Sequence, residues 1–544
     1  MRPLILVLLV LHGFHTHAQC VESTRTRVLL VGDSWAFFMG VDQTINEVLN
    51  KWGHSNYRYY TNLTLAENGA ETDDFLQPGK LAEIQARLDA DPDLRVVHLS
   101  LGGNDVLGDW HTSFTPAQTD SLKAAVYDRL LTVITLIKDM RPDIHILWSG
   151  YMYPNFQEVI EDLGFLQTLH PFYGLWSGMG FPTFEQLNVI LNEFTAEVIA
   201  YCATDPRVDH VDATGLMQYA YGQNAPLGVP PGGSYPPLTA PLPHGFVDYP
   251  SPKSSMRNYG LTLDCFHLSA TGYRHMIEQH ARKFYQKFLM NDQVSVAMPG
   301  NVGGTVSNMG TVLPDFKVGS QSGEHFATLL SFPVGAALGQ PLQGASIFLR
   351  REALSGSDPL AVTLNVKVRS GHFGGSAAVE PVDYWATADA SGAPCRFGSN
   401  AGNGHWTRLE LPQSLLPHIT NGTTVQFLIQ APGAPNGLIT FTGADDPELA
   451  PVLDLTYGDL STAIEAVEAG NAAAPFPNPT AGQLHVPAQE EVITGIVVHD
   501  LTGRTVWERM GPVNVVDLSH LPAGVYLVDL IKGIAKETHR VVKW

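Results

Sequence analysis

The chain has 544 residues, 44% hydrophobic and 16% charged, which is enough apolar material for several cores and too little charge for a wholly disordered chain. With 32 basic against 53 acidic residues the formal charge is -21, so phosphate backbones and anionic headgroups are repelled and nucleic acid is excluded as a partner. The four cysteines, Cys20, Cys202, Cys265 and Cys395, form no CxxC pair and no zinc-ligand spacing, and a Cys202–Cys265 bridge is compatible with an oxidising compartment.

Residues 1–19 place Arg2 before an apolar run and a small residue, Ala18, near its end, which is a secretory signal-peptide pattern. The run is about half of the ~20 residues a membrane helix needs, and no comparable stretch follows, so no membrane span is predicted.

Between 20 and 292 strand-like and helix-like segments alternate. RVLLV at Arg27, RVVHLSL at Arg95, IHILWSG at Ile144 and VDHVD at Val208 have the length and composition of buried parallel strands. The clearest helix runs from Ser121 to Met140, with Leu122, Val126, Leu130, Val133, Ile134 and Ile137 near a 3.6 period, and Arg141-Pro142 closes it. This alternation predicts a parallel sheet with helices on both faces. Two insertions, 155–183 and the Pro/Gly-rich 222–254, interrupt it. HMIEQH, with His275, Glu278 and His280, superficially resembles a metal-binding helix, but His at i and i+5 face apart, and a solvated helix surface is expected.

VGDSW, directly after the first strand, sets Gly32, Asp33 and Ser34 at a strand's carboxyl end, where open α/β sheets bind ligands. Taken alone, Asp33 and Ser34 read equally well as helix caps. LGGND brings Asn104 to the same sheet edge on a Gly-rich turn, and LDCFHLSATGY places Asp264 three residues before His267, near enough to fix the imidazole tautomer. Ser269 is the expected cap of a final helix whose buried side carries Tyr273, Ile277, Phe284 and Phe288.

VGDSW, AENGAET, LGGND and LDCFH, in that order, resemble the sequence blocks of the GDSL or SGNH hydrolase superfamily over about 25–290, with Trp35 where that family usually has Leu. The resemblance implies a flavodoxin-like three-layer α/β fold, Ser34 as nucleophile, His267 as base oriented by Asp264, and an oxyanion hole from Ser34, Gly69 and Asn104. It needs no metal and no cofactor, and it implies an ester substrate attacked through an acyl-enzyme, as in lipases and acylhydrolases. Chemically, a serine hydroxyl becomes a nucleophile once a neighbouring imidazole takes its proton, and amide N–H groups hold the oxyanion that forms.

From 300 to 460 short β-rich runs lie between Gly, Pro, Asn and Ser clusters, which predicts an all-β sandwich, loosely similar to accessory modules of secreted enzymes, some of which bind carbohydrate. Tyr384, Trp385 and Trp406 are read as core residues in preference to a sugar-stacking face. Because the mechanism requires none of its residues, deleting the sandwich is expected to spare soluble substrates. An alanine-rich linker at 461–471 leads to residues 472–544, where PFPNPTAGQLHV, LTGRTVW and LPAGVYLV resemble the sorting domain of type IX secretion substrates, implying that machinery as a partner and export through the periplasm to the cell surface or medium. The alternatives are a polysaccharide O-acetyl esterase targeted by the sandwich, and a non-catalytic surface protein that binds carbohydrate.

Overall fold

The computed structural model describes residues 24–221, 245–398, 402–458 and most of 480–543. The expected signal peptide 1–19, the linker 461–471 and the greater part of the insertion 222–254 lie outside the described residues. The chain divides into two compact units, Met1–Asp459 and Leu460–Trp544.

The first unit begins with five parallel strands, β1 (Arg25–Gly32), β2 (Tyr57–Ala66), β3 (Val96–Ser100), β4 (His145–Trp148) and β5 (Val208–His210), in the order β2-β1-β3-β4-β5. This is the flavodoxin-like order, and the chain reverses direction across the sheet between β1 and β3, where a crevice opens at the strands' carboxyl ends. All five residues of β3 are buried, which is why its sequence is an unbroken apolar run apart from His98 and Ser100. β2 is an edge strand of sequence YRYYTNLTLA and lacks such a run, so periodicity does not reveal it.

The helices among the described residues include α1 (Ser34–Val41), α2 (Thr44–Lys51), α3 (Pro78–Ala90), α4 (Gly103–Asp109), α5 (Pro116–Met140), α6 (Phe156–Glu161), α7 (Tyr173–Gly178), α8 (Phe184–Cys202), α9 (Leu216–Tyr221) and α10 (Ala270–His280). α5 starts earlier than its apolar period, because Thr115 and Gln118 form a capping box and Pro116 occupies the first turn. The insertion 155–183 is folded: it contains α6, a 3₁₀ turn at Gly164–Leu169 and α7. Ser269 caps α10 as expected, its hydroxyl accepting from the Gly272 amide. The HMIEQH stretch is not a solvated surface: His280 is buried with its ring 5.3 Å from that of His98, while Glu278 pairs with Lys51 of α2. Cys202 and Cys265 are free, so no bridge joins them, and Cys395 is disulfide-bonded.

A short hairpin, β6 (Met256–Tyr259) and β7 (Thr262–Leu268), precedes α10, and β8 (Gln293–Val296) then pairs antiparallel with Val452–Tyr457, opening the β-sandwich. Its interior is filled by residues such as Val318, Phe332, Ile347, Phe427 and Leu453. The boundary drawn near 292–300 from sequence texture is crossed by packing: one buried cluster contains Trp52 and Tyr57 together with Phe348, Trp406 and Val452. Trp52 stacks on Trp406 with ring centroids 5.4 Å apart, and Arg282 pairs with Asp446 at 2.9 Å. Trp406 is therefore core, as expected, whereas Trp385 is 71% exposed beside Tyr384.

In the second unit the strands Gly495–Asp500, Thr505–Met510, Gly524–Lys532 and Ala535–Lys543 form an antiparallel sheet, and Gln483–His485 pairs with Val515–Asp517. Ile496, Val498, Val528 and Leu530 share its core with Leu484 and Val516.

Candidate active site

β1 ends in Gly32, whose φ of +141° and whose approach to the Ser100 carbonyl leave no room for a side chain, since a Cβ there would lie 1.7 Å from that oxygen. The chain can therefore turn directly from sheet into α1, and Ser34 becomes the first residue of the helix, with its amide at the positive N-terminus. Asp33 is the N-cap, its Oδ1 accepting from the Trp35 amide at 2.9 Å.

Ser34, Asp264 and His267 come together although at least 230 positions separate Ser34 from the other two. Ser34 Oγ lies 2.7 Å from His267 Nε2, and His267 Nδ1 lies 2.8 Å from Asp264 Oδ2. A carboxylate at Nδ1 keeps the proton there and leaves Nε2 to accept from the serine hydroxyl. Asp264 is itself fixed, because its Oδ1 accepts from the amides of Phe266 and His267, each at 2.9 Å. All three are buried, and the imidazole is flanked by the rings of Phe38 and Phe266 at 4.8 and 4.3 Å.

Asn104, in the first turn of α4, donates from Nδ2 to the Ala70 carbonyl at 2.9 Å, which leaves the second amide hydrogen for another acceptor. Its neighbour Asp105 is buried and accepts from the Thr72 amide at 3.0 Å, the Thr72 hydroxyl at 2.5 Å and Arg129 Nη2 at 2.8 Å. These bonds anchor the Ala70–Thr72 turn, in which Ala70 is buried. Gly69, next to the Ala70 carbonyl that Asn104 holds, is exposed and borders a shallow depression with Glu67, Asp74 and Lys80.

Tyr151, just beyond β4, is a residue that sequence reasoning passed over. Its hydroxyl donates to Asp33 Oδ2 at 2.5 Å and accepts from the Gly103 amide at 3.0 Å, so one phenol ties the turn carrying Ser34 to the turn carrying Asn104. Gly103 is required for that contact, since a Cβ would meet the Tyr151 ring at 2.9 Å. The available signal was position: SGYMY follows β4 at the same sheet edge as VGDSW and LGGND. Burial pushes the Asp33 carboxyl up to about 7 despite the Tyr151 and Trp35 hydrogen bonds, and burial together with the Asp33 charge holds the Tyr151 phenol well above its ordinary value.

A cavity opens at Ser34 and Asn104. Leu107, Met152, Leu187, Ile190, Phe194 and Phe266 make its wall predominantly apolar.

Residues 27–279 match the GDSL-like lipase/acylhydrolase family. This part of the chain is a GDSL-family hydrolase. Solved structures similar to the GDSL hydrolase include a putative platelet activating factor from Streptococcus pneumonia, at 14% identity and a TM-score of 0.28 over 50% of this chain and 86% of that one. The lipase Lip_vut3 from a goat rumen metagenome aligns at 11% identity and a TM-score of 0.29 over 48% and 98% of the two chains. A Clostridium thermocellum family 3 carbohydrate esterase aligns at 14% and 0.26 over 49% and 99%. No curated protein matches the chain. Residues 474–543 match the secretion system C-terminal sorting domain, which addresses the GDSL hydrolase to secretion or the cell surface. Among the described residues no helix is long and apolar enough to cross a membrane.

Proposed function

We propose that the protein hydrolyses carboxylic esters of apolar acyl groups through an acyl-enzyme on Ser34. The observation that carries this reading is the Ser34 Oγ to His267 Nε2 hydrogen bond at 2.7 Å, at the mouth of an apolar cavity. His267 Nε2 takes the hydroxyl proton as Ser34 Oγ attacks the carbonyl carbon, and Asp264 stabilises the imidazolium. The Ser34 backbone N–H, the free Asn104 amide hydrogen and the Gly69 backbone N–H beside the Asn104-bound Ala70 carbonyl are the proposed oxyanion donors. His267 then returns the proton to the departing alkoxide, and water repeats the sequence on the acyl-enzyme.

The apolar wall favours an acyl chain with an apolar tail over acetyl. One observation supports polysaccharide as a second partner: Trp385 is 71% exposed, so one aromatic ring of the sandwich is open to sugar stacking. For export, the apolar amino-terminal segment supports passage into the periplasm and the sorting domain supports type IX transfer across the outer membrane.

The test is a fluorophosphonate probe combined with a p-nitrophenyl ester series from acetate to decanoate. Wild type is expected to be labelled at Ser34 and to prefer chains longer than acetate. Ser34→Ala should lose both labelling and hydrolysis while keeping its fold. Labelling of the Ala variant, or strict preference for acetate, would refute the reading.

A further inference from the structure

The insertion between β4 and α8 has two apolar faces. Its inner face is buried: Phe156, Trp176 and Met179 pack in one cluster with Leu187, Ile190 and Phe266, three residues that also line the cavity at Ser34. Its outer face presents Phe165 at 93% and Leu169 at 73% exposure. The β6–β7 hairpin lies alongside, held by a hydrogen bond from His170 Nε2 to the Leu263 carbonyl at 3.1 Å, and exposes Tyr259 and, at its tip, a fully exposed Leu261. The ring of Phe172 bridges the two faces, 5.2 Å from Tyr259 outside and 4.9 Å from Phe266 at the cavity wall.

Large apolar side chains standing in water on two adjoining segments are unusual in a monomeric chain and mark a surface that is covered in use. Here the patch continues, through Phe172 and Phe266, into the cavity that ends at the nucleophile. The chain's charge of -21 disfavours an anionic surface, and the cations beside the patch, Lys253 and Arg257, are already paired with Asp162 at 2.5 Å and Asp42 at 2.6 Å. We infer that this face adsorbs to the surface of an aggregated, uncharged acyl ester, so that an acyl chain passes from droplet to cavity beside Phe172. The inference rests on the ester-hydrolase reading and adds where its substrate is met: at an interface in addition to free solution.

The experiment compares the full wild-type chain with the triple variant Phe165→Ser, Leu169→Ser, Leu261→Ser, whose altered side chains are exposed and contribute little to the core. Two activities are read, on dissolved p-nitrophenyl butyrate and on a tributyrin emulsion, and adsorption is read directly by flotation with triolein droplets coated in phosphatidylcholine. The expected result is an unchanged rate on the dissolved ester, a loss of about tenfold or more on the emulsion at limiting droplet area, and loss of co-flotation. Equal losses on both substrates, undiminished emulsion activity, or wild type that fails to float would overturn it. So would a wild-type dimer that the triple variant converts to monomer, which would make a second copy the occupant. Wild type that floats but hydrolyses neither ester would refute the hydrolytic reading while upholding adsorption.

Discussion

Tyr151→Phe is the sharpest probe of how the two turns of the site are held in register. The substitution keeps the ring against Gly103 and Trp35 and removes only the hydroxyl, which makes one hydrogen bond to the Gly103 amide and one to the buried Asp33 carboxyl. A neutral hydrogen bond contributes about 1 kcal/mol and one to a charged group about 1.5–3, so a loss of about 2–4 kcal/mol in stability is expected. The size depends on pH in a defined direction. Asp33 titrates near 7 in the folded chain against an ordinary 3.8, so the folded form binds the proton more tightly. Its contribution is therefore fully present below 3.8 and is lost as pH rises through about 7, on the order of 4 kcal/mol in all. Tyr151 offsets part of that loss by donating to the ionised carboxylate, so the deficit of the variant should be larger at pH 8 than at pH 5. In catalysis, freeing the Asn104 turn from the Ser34 turn misplaces the oxyanion donors, which should lower kcat by about 10–100-fold with KM little changed, since the cavity wall stays apolar. Denaturant unfolding at the two pH values and steady-state kinetics on a p-nitrophenyl ester check both parts. A kcat within about twofold of wild type, or a stability deficit equal at pH 5 and pH 8, would refute the coupling.

Asn104→Ala should lower kcat by about 100-fold or more with Ser34 still labelled by a fluorophosphonate, because the nucleophile and base are untouched; a change confined to KM would reassign Asn104 to binding. Burial depresses His98 to about 3 from its ordinary 6.5, so the unfolded chain takes up a proton there that the folded chain does not, and stability falls as pH drops below 6.5. His98→Phe should flatten that slope by about 1.4 kcal/mol per pH unit between pH 6 and 4, as read by urea unfolding. Trp406→Ala should cost about 3–5 kcal/mol and lower the unfolding midpoint of the hydrolase and sandwich in one transition, as followed by fluorescence and loss of esterase activity together. Removing the whole sandwich exposes Trp52 and Tyr57 and should then abolish turnover of soluble and insoluble esters alike, in place of the selective effect that sequence texture predicts.

Strands β1, β3 and β4 were legible as short apolar runs because central parallel strands are buried on both faces, and the site could be read from VGDSW, LGGND and LDCFH because each side chain is fixed by its own local turn. Asp264 and His267 lie within one turn of each other, so their hydrogen bond is nearly a property of the sequence itself. What lay beyond it were relations between distant segments. β2 is an edge strand with a half-polar sequence, and only pairing with β1 defines it. The Ala70–Thr72 turn is anchored by Asn104 and Asp105, some 35 residues away, through the Ala70 carbonyl and Thr72. Tyr151 has no local motif, since its role consists of two hydrogen bonds to other strand ends. Trp406 read as a core residue of the sandwich alone until its stacking on Trp52 joined the sandwich to the hydrolase. Local turn chemistry and burial periodicity act over a few residues and are written in the sequence, whereas hydrogen bonds and packing between elements exist only once the tertiary fold has brought their partners together.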